Sequence, residues 1–320
     1  MNHNSTDFFI SFIIPAYNEE SCIENTLLGI QKYSQKLNHE VILVDNGSTD
    51  STQKIANEYC DQVIYFPEGD TISSVRNKGV EYSKGDILIF LDSDILLTEE
   101  WEENIFKTCH VLKSDPLILT GSKYTPPNQY AWLNRFWFNI ENKAPANYIN
   151  SGHLIISRSL FDRINGFDEN LKTAEDYDFC QRAIASGAKL QPNAQLRVIH
   201  DGYPETAGEF IQRERWHGRE DFENMDKFLA SKVAWIASFH LLVFTFFVFN
   251  ALFFTGGVPS FISYACIMFP ICMLMVYMKF GFISIRHIAN ASVIFYLYLV
   301  GRSLALVDKI LGRYTNNFRK

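Results

Sequence analysis

The sequence predicts an α/β fold, with a Rossmann-like, mostly parallel sheet followed by C-terminal transmembrane helices. Three observations predict it. Short apolar runs alternate with helical spacings between Phe9 and Asp92, carboxylates end two of those runs, and Val233 to Met278 contains no Asp, Glu, Lys or Arg. Alternating strand and helix patterns mark βαβ units, whose crossovers make neighbouring strands parallel.

Phe9 to Ile14 is the first apolar run, and Asn18 is placed to cap a helix carrying Ile23, Leu27 and Ile30 on one face. Val41 to Val44 is the second run and ends at Asp45; Ser48, Thr49 and Asp50 then offer cap chemistry for a helix through Ile55 and Ala56. Val63 to Phe66 is a third run, Ser73 to Ser83 is helical up to Gly85, and Ile87 to Leu91 is a buried strand ending at Asp92. Residues 121–150, rich in Pro and aromatic side chains, predict a loop-rich insertion that shapes a pocket; the wider segment 121–153 is the expected sugar-side wall. Leu154 to Ser157 and Arg197 to Ile199 predict strands, the second ending at His200, and Asp176 to Ala185 predicts a helix stopped by Gly187.

A chain of 320 residues can hold one α/β domain and a smaller appendage, placed here at 1–225 and 226–320. The net charge of −7 argues against a nucleic-acid binder, which presents a basic face. The six cysteines form no CxxC pair and read as reduced thiols, and Phe8 to Ile14 is too short, and too soon interrupted by Pro15, to be a signal peptide.

The charge-free stretch breaks at Gly256, Gly257 and Pro259 into spans at about 234–254 and 258–278, each near the ~20 residues a bilayer requires. His240 in the first span is expected to face the bundle or the interface. A third segment, 284–307, is interrupted by Arg302 and reads as an interfacial helix, with a third span as the alternative. With two spans, Lys279, Arg286, His287, Lys309, Arg313, Arg319 and Lys320 fall on one side, which predicts a multi-pass membrane protein whose soluble domain is cytoplasmic.

Asp92 and Asp94 follow a buried strand one residue apart, where both can reach one hard cation, Mg²⁺ or Mn²⁺, together with phosphate oxygens. The competing reading is a solvated acidic turn. Asp45 is placed to accept hydrogen bonds from a base or ribose. Glu175 and Asp176 open a helix, where the dipole favours the anionic form that a general base requires. His200 is a candidate third metal ligand. Gln212, Arg215 and Trp216 lie on one helix, where the arginine can pair with diphosphate and the indole can stack on a sugar, or the helix simply leads toward the membrane. No GxGxxG follows the first strand, which argues against a dinucleotide oxidoreductase.

In combination these segments resemble the family 2 glycosyltransferases, which have the GT-A fold. The resemblance covers roughly residues 9–220. It rests on Phe12 to Glu20, Val44 to Asp50, Arg76 to Gly79, Gly85 to Asp94, Asn165 to Glu169, Glu175-Asp176 and Gln212 to Trp216, in the family's order. It implies that Ala16, Tyr17, Glu19 and Asp45 hold the nucleotide, Arg76 lies beside the donor, and Asp92 contacts ribose or metal. It implies further that Asp94 binds the metal, with His200 as a second ligand, and that Asp176 is the base. Glu175 and Gln212 would border the acceptor and diphosphate, and Gln212, Arg215 and Trp216 match the QxxRW pattern of processive members. The implied reaction is inverting transfer from a nucleotide sugar, a UDP-sugar first, to a lipid-linked or surface-glycan acceptor. The alternatives are a processive polysaccharide synthase subunit and a non-catalytic nucleotide-sugar-binding membrane protein.

Overall fold

The computed structural model describes residues 8–128, 131–138, 147–171, 173–254, 257–281 and 284–313. The chain divides into two compact units, Met1–Pro127 with Ala144–Gly202, and Asn128–Lys143 with Tyr203–Lys320.

The first unit is built on a seven-stranded sheet. In chain order its elements are β1 (Ile10–Ala16), α1 (Ile23–Tyr33), β2 (His39–Asp45), α2 (Thr52–Tyr59), β3 (Gln62–Tyr65), α3 (Ile72–Tyr82) and β4 (Ile87–Leu91). There follow β5 (Ile95–Leu97), α4 (Glu99–Ser114), β6 (Ile118–Gly121), β7 (His153–Ser157), α5 (Arg158–Arg163), α6 (Glu175–Ala185), β8 (Lys189–Pro192) and β9 (Val198–His200). The sheet order is β3-β2-β1-β4-β7-β6-β8, and β5 pairs with β9 in a separate two-stranded sheet. Strands β3, β2, β1 and β4 are parallel, as the βαβ rhythm predicts; β7 runs antiparallel to both β4 and β6, so the sheet is mixed beyond β4. Nothing in the Leu154 to Ser157 run alone announces its direction. A buried strand reads as an apolar run whichever way it points.

Alternate residues of each central strand enter opposite cores. Phe12, Ile14 and Leu43 pack with Leu27 of α1, Ala56 of α2 and Trp101 of α4, whereas Ile13, Val44 and Phe90 pack with Val75 of α3, Phe161 of α5 and Phe179 of α6. Helices on both faces explain why these strands read as unbroken apolar runs rather than alternating ones. Each large side chain so buried contributes about 1.5–3 kcal/mol.

Two expected caps differ in detail. Asn18 does not cap α1, which starts at Ile23 with Cys22 before it; Asn18 stands in the left-handed region at φ 57° and its side chain accepts from Thr49 N at 2.8 Å. Ahead of α2, Asp50 supplies the capping contact, accepting from Thr52 N at 3.0 Å and Thr52 Oγ1 at 2.6 Å. Both residues lace the loop after β1 to the loop after β2.

The second unit holds a π-helical turn (Asn134–Phe138), α7 (Ala207–Asp221), α8 (Met225–Ala230), α9 (Lys232–Phe253), α10 (Gly257–Phe280) and α11 (Ile285–Ile310). The last three, of 22, 24 and 26 residues, are long and apolar enough to cross a membrane. The segment expected to be interrupted by Arg302 is one unbroken helix. Arg302 binds Asp221 at 2.7 Å and Glu214 at 3.0 Å, so its charge is matched rather than left to break the helix. His240 faces the bundle, paired with Tyr264 Oη at 2.8 Å and Ser303 Oγ at 2.8 Å. The basic tail residues Arg319 and Lys320, Gly256, and 129–130 and 139–146 of the expected insertion lie outside the described residues.

Helices α7 and α11 approach closely because glycines face them on each side. A Cβ on Gly301 would stand 2.7 Å from Ile211 O, and one on Gly218 would stand 2.8 Å from Ala305 Cβ. Gly301→Val should therefore destabilise the helical unit by about 1–3 kcal/mol, read as a lower Tm in detergent; a Tm equal to that of the unsubstituted chain would contradict this packing.

Candidate active site

Because β1, β2 and β4 are parallel, their carboxyl ends share one edge of the sheet, and an antiparallel β7 brings its amino end to that same edge. Ala16 and Asp45 are register partners there, and Leu91, the residue before Asp92, is the partner of His153. Asp92 N donates to Gly152 O at 3.0 Å. The turn through Ser93 is held from below by Thr26 of α1, whose Oγ1 donates to Ser93 O at 2.7 Å. His200 arrives by a different route. In the β5–β9 pair it is the partner of Ile95, and Asp201 N donates to Asp94 O at 2.9 Å. The result is Asp94 Oδ2 standing 3.5 Å from His200 Nε2.

Arg76 of α3 ties this edge to the start of α6. Its guanidinium is buried, with Nη2 donating to Asp92 Oδ1 at 2.7 Å and Nη1 to Glu175 Oε1 at 3.0 Å. Burial works against the charge on Arg76, and the carboxylates of Asp92 and Glu175 more than offset it, raising its pKa. Glu175 therefore acts as the anchor that presents its neighbour Asp176. The residue before them, Ala174, holds φ 59°, a left-handed conformation that costs a non-glycine residue about 1–3 kcal/mol.

The cleft is crowded with negative charge. Burial, then Asp92 and Glu19, push Asp94 up to about 7. Burial raises Glu19, whose Oε2 accepts from Cys22 Sγ at 3.0 Å, and burial followed by Glu175 raises Asp176. Burial, followed by the charge of Asp92, holds the Tyr124 phenol well above the usual range. Asp45 is fully buried, and its Oδ2 accepts from Gly47 N, Ser48 N and Gln53 Nε2 at 2.7–3.1 Å. Its Oδ1 has no hydrogen-bond partner among the described residues, leaving one acceptor open beside the loop of half-buried Tyr17.

The donor set fits a divalent cation. Asp94 and His200 converge, and glycine at 202 keeps the space between them open, since a Cβ there would meet Asp94 Oδ2 at 2.7 Å and His200 Cε1 at 2.9 Å. Among the described residues no group of three His, Cys, Asp or Glu could hold a metal ion. Asp94 and His200 are thus a candidate pair of ligands, and phosphate and water would have to complete the shell.

Several contributors escape sequence reasoning. Tyr124, Asn150, Gly152 and His153 lie within 121–153, the segment expected to wall the sugar side, but none of them was singled out by residue. His153 is buried and held neutral, its pKa lowered to about 3 by burial. Its Nε2 accepts from Trp101 Nε1 at 3.0 Å, and its Nδ1 meets Ser122 Oγ at 2.8 Å and Ser122 N at 3.3 Å, which pins the start of β7. The one available signal is Gly152, a lone glycine just ahead of an apolar run. A separate cavity of about 820 Å³ lies beside the 161–170 loop, lined among others by Asn77, Asp168 and Arg182.

Gln212, Arg215 and Trp216 belong to the helical unit, on α7. Arg215 makes a two-pronged ion pair with Asp308 of α11, both contacts at 2.6 Å, and Trp216 is exposed with its ring edge-on to His217.

Comparison with known proteins closes the assignment. Residues 11–161 match the profile of Glycosyl transferase family 2, and residues 132–282 that of Glycosyl transferase family group 2. The chain belongs to the family 2 glycosyltransferases. This transferase is 28% identical over 221 residues to Glycosyltransferase AglE of Haloferax volcanii, covering 66% of this chain and 72% of that one. It is 24% identical over 222 residues to a pre-mycofactocin glycosyltransferase of Mycobacterium tuberculosis, covering 65% of this chain and 46% of that one. Among solved structures it is similar to the mannosyltransferase PcManGT of Pyrobaculum calidifontis, solved with GDP-Man and Mn²⁺, at a TM-score of 0.56 and 17% identity over 97% of this chain and 89% of that one. That likeness concerns the fold, which is GT-A.

A raised carboxyl pKa has a stability consequence. Asp94 carries no penalty below its unfolded value; the penalty grows as pH rises from there to about 7 and is complete above it. Asp94→Asn should raise the metal-free Tm at pH 8, by roughly 2–4 °C for each kcal/mol relieved, and have little effect near pH 4. An unchanged or lower Tm at pH 8 would contradict the crowding.

Proposed function

We propose that this transferase moves a glycosyl group from a nucleoside-diphosphate sugar, a UDP-sugar first among them, to a hydroxyl of a lipid-linked or surface-glycan acceptor, with inversion at the anomeric carbon. The observation that supports the reading is the Arg76 bridge, which ties Asp92 at the end of β4 to Glu175 at the start of α6. Asp176 removes the acceptor hydroxyl's proton. The freed oxygen bonds to the anomeric carbon as that carbon's bond to the diphosphate oxygen breaks, and the nucleoside diphosphate departs with the electron pair. Asp45 Oδ1, buried and lacking a partner among the described residues, accepts from the base or ribose, with Ala16, Tyr17 and Glu19 lining the same edge. Arg76 positions Asp92 and Glu175 and lies beside the donor, as the resemblance implies.

Asp94 and His200 would hold Mg²⁺ or Mn²⁺, with Asp92 alongside. When bound, the cation offsets charge on the departing diphosphate. The Mn²⁺ in the PcManGT structure is in line with that choice. The three apolar helices support a membrane-borne acceptor, and the sheet unit then faces the cytoplasm, where nucleotide sugars are made.

Asp176→Asn should lower transfer by about 10²–10⁴-fold while donor affinity, measured by calorimetry, stays near normal; near-normal turnover would remove Asp176 from the role of base. Because burial and Glu175 raise its pKa, the acid limb of the kcat profile should lie above the ordinary carboxylate range, with activity gained as Asp176 loses its proton. Asp94→Ala should abolish both activity and its divalent-cation dependence, and full activity of the unsubstituted chain in excess chelator would refute the metal role.

A further inference from the structure

We propose that Tyr124 and Asn150 form the hydrogen-bonding pair that reads the hydroxyls of the transferred sugar. The assignment rests on the glycosyl-transfer reading above and names residues that neither the family motifs nor the sequence singled out.

Position is the first argument. Tyr124 is clamped through its neighbour, since Thr125 N donates to Val198 O at 2.9 Å and His200 N donates to Thr125 O at 3.0 Å. The phenol ring is thereby tilted against the His200 imidazole, with centroids 5.2 Å apart. Its hydroxyl donates to Asn150 Oδ1, which also accepts from Gly152 N at 3.0 Å. A Cβ on Gly152 would collide with both Asp92 Oδ2 and Tyr124 Oη, so carboxylate and phenol meet at that glycine. Tyr124 thus stands beside Asp92 and His200, next to the residues assigned to the leaving group, where the transferred sugar adjoins the diphosphate.

Chemistry is the second argument. An ionised carboxylate only accepts hydrogen bonds, whereas a sugar hydroxyl both donates and accepts. When ionised, the carboxylates of Asp92 and Asp94 accept hydrogen bonds from the sugar's hydroxyls but offer them none. The Tyr124 proton goes to Asn150 Oδ1, so its phenol oxygen is left as an acceptor, while the Asn150 carboxamide nitrogen makes no hydrogen bond among the described residues. The pair thus presents the sugar with an amide donor beside a phenol acceptor. A site that hydrogen-bonds a hydroxyl discriminates strongly against ligands lacking it or presenting it elsewhere.

The test compares nucleotide sugars with their bare nucleotides on the full chain in detergent with Mn²⁺, by calorimetry. The probes are UDP-glucose, UDP-galactose and UDP-N-acetylglucosamine against UDP, and GDP-mannose against GDP. For the sugar that binds tightest, Tyr124→Phe and Asn150→Ala should each weaken the nucleotide sugar about tenfold, one lost hydrogen bond, and leave the nucleotide within about twofold. Tyr124→Phe keeps the ring against His200, so the fold is retained. Variants that bind the sugar as tightly as the unsubstituted chain, or lose sugar and bare nucleotide equally, overturn the assignment alone. An unsubstituted chain that binds no nucleotide at all overturns the glycosyl-transfer reading, and this assignment with it.

Discussion

A single buried guanidinium holds the cleft together. Arg76 reaches Asp92 at the end of β4 and Glu175 at the start of α6, two residues far apart in sequence, and no other contact described between those elements is so direct. Around it stand Glu19, Asp94 and Asp176, each with its pKa raised by burial. One cation cannot neutralise so many carboxylates. The excess negative charge is a standing strain on the folded protein and, equally, an attraction for a divalent cation. Breaking one arm of such a buried pair costs about 3–5 kcal/mol, because the remaining charge is left without compensation.

Topology explains how residues from five parts of the chain reach one edge. Parallel strands deliver Ala16, Asp45 and Asp92 with their carboxyl ends, and antiparallel β7 delivers Gly152 and His153 with its amino end. The small β5–β9 pair adds His200 beside Asp94, outside the main sheet. Gly152 and Gly202 keep that edge open, because a methyl group at either would fill the space their carboxylates use.

Much of this was legible from residue pattern alone. The parallel half of the sheet and the carboxylates at strand ends follow from apolar runs that stop at Asp45 and Asp92, and the start of α6 at Glu175 was likewise readable. What pattern could not supply was direction and partnership. The reversal of β7 depends on packing between distant segments, which leaves no local mark on Leu154 to Ser157. The two ion pairs of Arg76 and the pair of Arg215 with Asp308 join segments far apart in sequence, and no local pattern announces them. Tyr124 and Asn150 sit in irregular backbone, where neither helical nor strand periodicity exists to flag a side chain.

The account's central claim is that Arg76 gathers the two carboxylate segments into one working cleft. Arg76→Lys keeps the positive charge but lacks the planar fork that spans both partners, so it tests geometry rather than charge. Transfer by this variant, assayed with saturating donor and Mn²⁺, should fall by about 10²-fold or more, the scale set by an ångström-sized misplacement of a catalytic group, while bare-nucleotide affinity stays unchanged. Turnover equal to that of the unsubstituted chain would contradict the account.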